Sequence, residues 1–310
     1  MTSCKRDRGQ AAVLTLLFLV ALLGAAAAVL DVGSWYREDR RLQASMDAAV
    51  LAAAQALPDN PGAANALASE YAEKNGGGLD DVTISTTQIA NDTVAATGSR
   101  AAPGFFSKVF GIDSVTVNAT AKARAGVLST ARYAAPITVN EAHPDLPCAF
   151  ESSGCYGRQT EISLLNLHGT GSANAAGSFG LLDLRLGGDG SAGNSVVASW
   201  MADGYSEDMP LGVYTAVPST MYNSDPFRDA LRGLTGEVVL FPIYQEPILG
   251  GGTNAAFTII GWVGFHVLRF NPGGANAKVT GWFTHVVWEG IFDETGGARD
   301  FGAHAVSLIE

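Results

Sequence analysis

A run of twenty residues without a charge, Ala11 to Leu30, constrains this chain more than any other feature. A helix rises about 1.5 Å per residue, so the run spans roughly 30 Å, the thickness of the hydrocarbon core of a bilayer. Gln10 precedes the run, and Asp31 ends it at the predicted boundary between membrane and water. The sequence therefore predicts a tail over residues 1–10 and one transmembrane helix over residues 11–30.

Two processing signals are alternatives to a retained helix. The basic stretch Lys5 to Arg8 and the A-x-A patterns within Gly24 to Ala28 are features of a cleavable signal peptide, and they leave cleavage open. The apolar run continues past those alanines and exceeds the usual signal-peptide length of about 7–15 apolar residues, which favours retention. A prepilin-type signal would need Glu at the fifth position after its glycine, and Leu14 stands there after Gly9.

The flanking positive charges give no decision on orientation. Three basic residues precede the helix and three follow it, namely Lys5, Arg6 and Arg8, then Arg37, Arg40 and Arg41. We expect the N-terminus inside the cell, because the short tail leads directly into a signal-anchor arrangement. The bulk of the chain is then expected outside the cytoplasm.

Negative charge is concentrated in the distal part of the chain. Residues 131–310 carry 8 Lys and Arg against 18 Asp and Glu, which gives that part a net charge of −10. Phosphate backbones and anionic lipid head groups would repel such a region. We therefore expect no binding of nucleic acid.

The first 130 residues predict a small α+β unit. Beyond the membrane the helical pattern continues to Leu57, with a stripe at Leu42, Met46, Ala49, Ala53 and Leu57. A second helix over 63–74, strands over 82–86 and 93–97, a short helix over 104–110 and a strand over 115–121 follow. Phe105, Phe106 and Phe110 are expected to face one core. This αββαβ unit is expected to pack against the distal half of the long helix.

From Pro136 onward, short alternating segments among glycine-rich turns predict a mostly β domain. The predicted strands are 162–167, 179–186, 211–216, 238–244, 257–270 and 278–288, and the predicted helices are 195–202 and 226–234. The fold class is therefore α+β. The predicted domains are a helix with its small α+β unit over 31–130 and a β-rich domain over 131–310.

Two cysteines, Cys148 and Cys155, lie seven residues apart beside glycine and proline. Outside the cytoplasm they could close a small loop as a disulfide, and two unlinked thiols are the alternative. A metal site is disfavoured, because His143 alone does not complete a ligand set.

The N-terminal segment resembles the TadG-like proteins of the tight-adherence, or Flp pilus, assembly systems of bacteria. The likeness rests on the apolar run and on Tyr36, Arg40 to Gln43 and Leu51 to Ala54. Its motif positions are Gly9, Gln10, Asp31, Gly33, Gln43, Asp47, Ala48 and Ala49. Gln43 and Asp47 form an i, i+4 pair on one helix face, which could contact a partner helix or the small unit. A solvated helix face is the alternative.

The distal domain resembles the corresponding region of some TadG-like chains. The likeness lies in Gly177 to Leu184, where Ser178 replaces the usual Asn, and in the strands at 238–242, 261–265 and 279–283. Larger family members carry a von Willebrand factor A domain with an Asp-x-Ser-x-Ser metal motif. The nearest run, Asp189 to Gly193, lacks its last serine, so no metal site is carried over.

The sequence carries none of three common catalytic or nucleotide-binding patterns. It has no H-E-x-x-H, G-x-x-x-x-G-K-[ST] or G-x-S-x-G motif. The acidic cluster Asp203, Glu207 and Asp208 does not match the spacing of a calcium loop, and nothing in the sequence places Glu246 and Glu289 together. We expect no enzymatic activity and no cofactor.

The resemblance implies a single-pass accessory component of Flp pilus assembly or secretion in the bacterial inner membrane. Its expected partners are other pilus-assembly and envelope proteins, with self-association as a homo-oligomer left open. The alternative is an anchored surface binding module, such as a carbohydrate- or matrix-binding adhesin. Four tryptophans (Trp200, Trp262, Trp282 and Trp288) could line its sugar-binding face, although in a β-rich domain such residues more often supply packing area.

Overall fold

A single helix, α1 (Asp7–Ala54), begins in the N-terminal tail and continues through the apolar run into the first folded unit. Its 48 residues make it about 72 Å long at the usual rise. The computed structural model describes residues 7–149, 158–163, 180–218, 221–222, 224–249, 255–271 and 278–309. Two compact units are present, one formed by 1–124 with 307–310 and the other by 125–306. The predicted boundary at 130/131, and the membrane and compartment assigned to each segment, stay predictions.

The first unit has the predicted order of elements. After α1 come α2 (Pro61–Lys74), β1 (Leu79–Ser85), β2 (Thr93–Pro103), a 3₁₀ turn (Ser107–Phe110) and β3 (Ser114–Ala131), which continues into the second unit. The three strands form two antiparallel hairpins in the order β1-β2-β3. In the longer hairpin Thr93 pairs with Arg124 and Pro103 with Ser114. This register places residues 104–113 at the tip.

The predicted stripe, four residues of α1 and Leu57 just beyond its end, contributes to the core of this unit. Its five side chains, Leu42, Met46, Ala49, Ala53 and Leu57, are all buried. On α2 the buried residues Ala64, Ala68 and Ala72 recur every fourth position, so one helix face meets the core. The α+β class is confirmed, and so is the packing of the small unit against the distal half of the long helix.

The second unit is mostly β. Its elements are β4 (Val139–Asn140), β5 (Thr160–Ser163), α3 (Asn194–Asp203), β6 (Met209–Pro210), β7 (Gly212–Thr215), α4 (Asp225–Gly233), β8 (Val238–Leu249), β9 (Ala256–Asn271), β10 (Lys278–Thr284), β11 (Val286–Val287), β12 (Gly290–Phe292) and β13 (Ala303–Ile309). One sheet has the order β4-β8-β9-β10-β5, with β7 also paired to β9. Separately, β6 and β12 pair with the last residues of β3, and β11 runs parallel to β13.

Aromatic side chains on the central strands fill the core of this sheet. The ring centroid of Phe265 lies 5.6 Å from that of Phe241 and 5.2 Å from that of Phe283. Gly281 permits this packing, because a Cβ at that position would lie 2.5 Å from the Phe265 ring. The strands predicted at 238–244 and 257–270, together with β10, therefore form the centre of the second unit. The strand predicted at 278–288 is divided at His285, and its last part, β11, pairs with β13 instead.

One predicted strand is wrong. Residues 180–186 form only single bridges, between Leu181 and Ile137 and between Leu182 and Ala216. The carboxylate of Asp183, fully buried, accepts the backbone N–H of Arg185 at 3.3 Å, an Asx turn that bends the chain out of the extended conformation. The N–H of Gly188 then donates to the carbonyl of Arg185 at 2.8 Å and closes the turn. The predicted strand at 162–167 is present to Ser163, and its remainder lies outside the described residues.

Candidate functional site: the exposed helix and the hairpin beside it

The first half of α1 presents a continuous apolar surface. Its exposed side chains include Val13, Leu14, Leu16, Leu17, Phe18, Leu19, Val20, Leu22, Leu23, Val29 and Leu30. It is the one helix among the described residues that is long and apolar enough to cross a membrane, and its most apolar 18-residue window has no buried residue. The hydroxyl of Thr15 donates to the carbonyl of Ala11 at 2.8 Å, so this polar group is satisfied within the helix. Soluble monomers rarely expose so much contiguous apolar surface.

Asp31, the first charged residue after the run, is bonded to the tip of the β2–β3 hairpin. Its carboxylate accepts the backbone N–H of Phe105 at 2.9 Å, of Phe106 at 3.0 Å and of Ser107 at 2.6 Å. Asp31 is only 2% exposed. These N–H groups belong to the start of the 3₁₀ turn, where no intrahelical acceptor exists for them. A carboxylate at this position both satisfies them and fixes the tip against the helix.

Strand β2 descends along α1 toward the apolar run. Gly98 faces Met46, and a Cβ there would lie 2.7 Å from the sulfur of Met46. Farther down, the guanidinium of Arg100 lies 3.5 Å from the Glu38 carboxylate, and Phe105 then meets Asp31. The helix advances about 22 Å between Met46 and Asp31, and a strand advances about 23 Å over the seven residues from 98 to 105. The two elements therefore run side by side down to Asp31.

Polar contacts higher on α1 hold the rest of the small unit. The amide nitrogen of Gln43 donates to the carboxylate of Asp47 at 2.8 Å and to the carbonyl of Thr120 on β3 at 3.0 Å. The predicted i, i+4 pair therefore exists, and its partner is the small unit. The buried hydroxyl of Ser45 is bonded to the carbonyls of Ala72 and Gly77. Sequence reasoning missed Ser45, whose only signal was a hydroxyl on the buried face of the helix.

The aromatic side chains of the hairpin tip do not face a core, contrary to the sequence prediction. Phe105 is 64% exposed and Phe110 is 82% exposed, with Phe106, Val109 and Ile112 exposed as well. The predicted helix over 104–110 is one 3₁₀ turn, Ser107–Phe110, ended by Gly111 in the left-handed conformation. Asp31 binds the backbone of this turn, and the apolar side chains of the turn stay open to the surroundings.

The other motif residues fall into three places. Gly9 and Gln10 lie in the first turns of α1. Gly33 lies on the exposed face, in a shallow apolar groove with Ala28, Val29, Val32 and Tyr36. Ala48 is half-buried and Ala49 is buried in the first unit. Of the two cysteines, Cys155 lies outside the described residues, as does the Cys148 side chain, so their pairing stays a prediction.

Several carboxylates of the second unit form ion pairs or hydrogen bonds with neighbouring residues. Asp208 lies 2.7 Å from the guanidinium of Arg132, and Glu246 accepts the amide of Asn140 at 2.9 Å. Hydrogen bonds from Thr295 and the backbone of Ala298 lower the pKa of Asp293 to about 2, so it is a carboxylate at neutral pH. Among the described residues, no three His, Cys, Asp or Glu side chains are grouped so as to hold a metal ion.

Comparison with protein families gives a match over the segment that forms the span and the core of the first unit. Residues 9–56 match the Tad family, the TadE/G-like proteins of Flp pilus assembly. This confirms the resemblance read from the N-terminal motif, and it supports a role in Flp pilus assembly. Comparison with curated proteins and with solved structures gives no match.

Proposed function

We propose that the chain is a membrane-anchored accessory component of Flp pilus assembly or secretion that acts by binding other envelope proteins. The observation that carries the proposal is the continuity of α1, which joins an exposed apolar span to a packed unit within the matched segment 9–56. Its first half supplies the anchor, and the stripe that includes Leu42 and Met46 supplies the core of the folded part. One element thus couples the first unit to the membrane.

The proposed orientation places the N-terminus in the cytoplasm and both folded units outside it, in the bacterial inner membrane. The distal part, with its net charge of −10, supports partners that are proteins rather than anionic lipid or nucleic acid.

An interaction role without catalysis is supported by the bonds of the distal carboxylates. Asp208 and Glu246, both considered as acidic candidates, bind Arg132 and Asn140. The surface-binding alternative requires aromatic faces open to a ligand. Trp262 is buried, and the indole N–H of Trp288 donates to the Arg132 carbonyl at 2.7 Å, so these tryptophans support packing instead.

The groove around Gly33 is where a partner helix is proposed to pack. Small residues let transmembrane helices approach closely, and a Cβ at Gly33 would meet no atom within 4 Å of the chain itself. Substitution there therefore changes the groove without disturbing the fold of the monomer. Gly24 also has open space around it and lies outside the groove, which makes it a matched control.

The test is crosslinking followed by purification through a tag after Glu310, from native membranes, for the wild type and for Gly33→Leu and Gly24→Leu. We expect proteins of the pilus system to co-purify with the wild type and with Gly24→Leu, and to be depleted with Gly33→Leu. Recovery of no pilus protein with the wild type would contradict the assembly role. Equal recovery from all three chains would remove the groove as the contact.

A further inference from the structure

The exposed apolar tip of the β2–β3 hairpin has no role in the function proposed above. It consists of Phe105, Phe106, Val109, Phe110 and Ile112. Five large apolar side chains within eight residues, all exposed, are unusual for a soluble surface. The tip is not loose, because the Asp31 carboxylate binds three of its backbone N–H groups.

We propose that this tip inserts into the interfacial layer of the same bilayer that α1 crosses, and so forms a second membrane contact. The inference rests on the proposed membrane anchoring. Asp31 follows directly on the apolar run and therefore lies where the hydrocarbon ends. Phe105 is bonded to Asp31, so the tip is at that level.

The direction of the hairpin supports the same placement. Strand β2 runs down α1 from Met46 past Glu38 to Asp31, so its tip is the part of the small unit nearest to the span. Val109 and Phe110, the most exposed apolar side chains of the tip, are 83% and 82% exposed. Phenylalanine and aliphatic side chains anchor segments that lie about 5–10 Å deep, at the boundary of head groups and acyl chains.

The basic side chain of the tip is compatible with a lipid surface. Lys108 is exposed between the apolar residues, where its ammonium can meet lipid phosphates while its stem lies along apolar chains. The surface is also continuous with an apolar helix that already requires lipid. A hairpin fixed at the interface would prevent the first unit from tilting or rotating about α1.

The experiment uses the full chain in phosphatidylethanolamine–phosphatidylglycerol vesicles, with a solvatochromic amino acid incorporated at one position at a time. Val109 reports on the tip, Leu22 on the span, and Ala66, an exposed residue of α2, is the control away from the membrane. Lipids brominated near the carbonyl end of the acyl chain serve as quenchers. At position 109 we expect a blue shift of the emission and its quenching by these lipids. At position 22 we expect quenching by lipids brominated farther along the acyl chain, and at position 66 we expect neither change.

The outcomes separate the two proposals. Quenching at 22 without quenching at 109 would overturn the insertion of the tip and leave the anchor intact. Absence of quenching at both positions would contradict the anchoring itself. A blue shift at 109 without quenching would show a protein surface over the tip, and it would also overturn the lipid contact. In the double variant Phe105→Ser and Phe110→Ser, we expect the signal at 109 to lose its shift while that at 22 is unchanged.

Discussion

The carboxylate of Asp31 accepts the backbone N–H of Ser107 at 2.6 Å, across 76 residues of sequence. The bond joins the end of an apolar span to the tip of a hairpin. Together with the bonds from Phe105 and Phe106, it shows that Asp31 both ends the apolar run and holds the hairpin tip against α1.

Replacing Asp31 is expected to destabilise the first unit. In Asp31→Ala, three N–H groups lose their acceptor, and bonds to a charged group contribute about 1.5–3 kcal/mol each before partial replacement by water. We expect the free energy of unfolding to fall by about 2–4 kcal/mol, measured by denaturant unfolding in detergent micelles. The control is Asp39→Ala on the same helix, for which we expect a change within about 0.5 kcal/mol. Equal losses in the two variants would contradict the account.

The approach of β2 to α1 at Gly98 predicts a steric effect. A Cβ there would lie 2.7 Å from the Met46 sulfur and would also collide with the carbonyl of Gly78. We expect Gly98→Ala to lower the free energy of unfolding by about 1–3 kcal/mol. Gly62→Ala is the matched control, because its nearest neighbour would be 3.6 Å away, in ordinary contact. A thermal or denaturant midpoint for Gly98→Ala equal to that of Gly62→Ala would refute the close approach.

The link between Gln43, Asp47 and β3 predicts energetic coupling. Gln43→Ala removes bonds to both the Asp47 carboxylate and the Thr120 carbonyl, with an expected loss of about 1–2 kcal/mol. A double-mutant cycle with Asp47→Ala isolates the side-chain pair. We expect a coupling energy of about 0.5–1 kcal/mol, since the pair is partly buried. Strict additivity of the two substitutions would show a solvated face without a contact.

The lowered pKa of Asp293 predicts that the stability of the second unit decreases in acid. Its pKa in the folded chain is about 2, below the ordinary value of 3.8, so the folded state favours the carboxylate. The stability it contributes is present above about pH 4 and is lost as the pH falls through about 2. Denaturant unfolding from pH 7 to pH 2 should therefore show Asp293→Asn less stable than the wild type at pH 7.

The difference between Asp293→Asn and the wild type should shrink as the pH falls toward 2. The matched control is Asp203→Asn, which alters an exposed carboxylate of the same unit. We expect its unfolding curve to follow the wild type at every pH. A constant difference between Asp293→Asn and the wild type over the whole range would exclude the lowered pKa as its cause.

The long helix and its buried stripe were predictable from the sequence, because spacing alone places Leu42 and Met46 on one face. The exposure of Phe105 and Phe110 was not. Three phenylalanines in a short segment are typical of a core, but here the segment is a hairpin tip whose backbone is bonded to Asp31, a residue distant in sequence, and the side chains are exposed. Strand β3 ends ten residues later than predicted because its last residues acquire new partners, among them Ile291.

The candidate site was predicted only in part. Asp31 was recognised as the end of the span, but its three hydrogen bonds depend on where the hairpin tip lies. Ser45 lies on the buried face of α1 but belongs to no motif, and its role follows from the carbonyls of Ala72 and Gly77 that α2 and the following turn bring to it. Contacts between residues far apart in sequence set both roles.

The most direct test of the central claim is protease treatment of spheroplasts that carry the full chain with different tags at its two ends. The account predicts that the tag after Glu310 is digested, while the N-terminal tag survives on a short membrane fragment that includes Ala11 to Leu30. Digestion of the N-terminal tag with protection of the C-terminal one, alongside an intact cytoplasmic marker, would contradict the proposed orientation. Release of the whole folded chain from the membrane without the apolar helix would contradict the anchor.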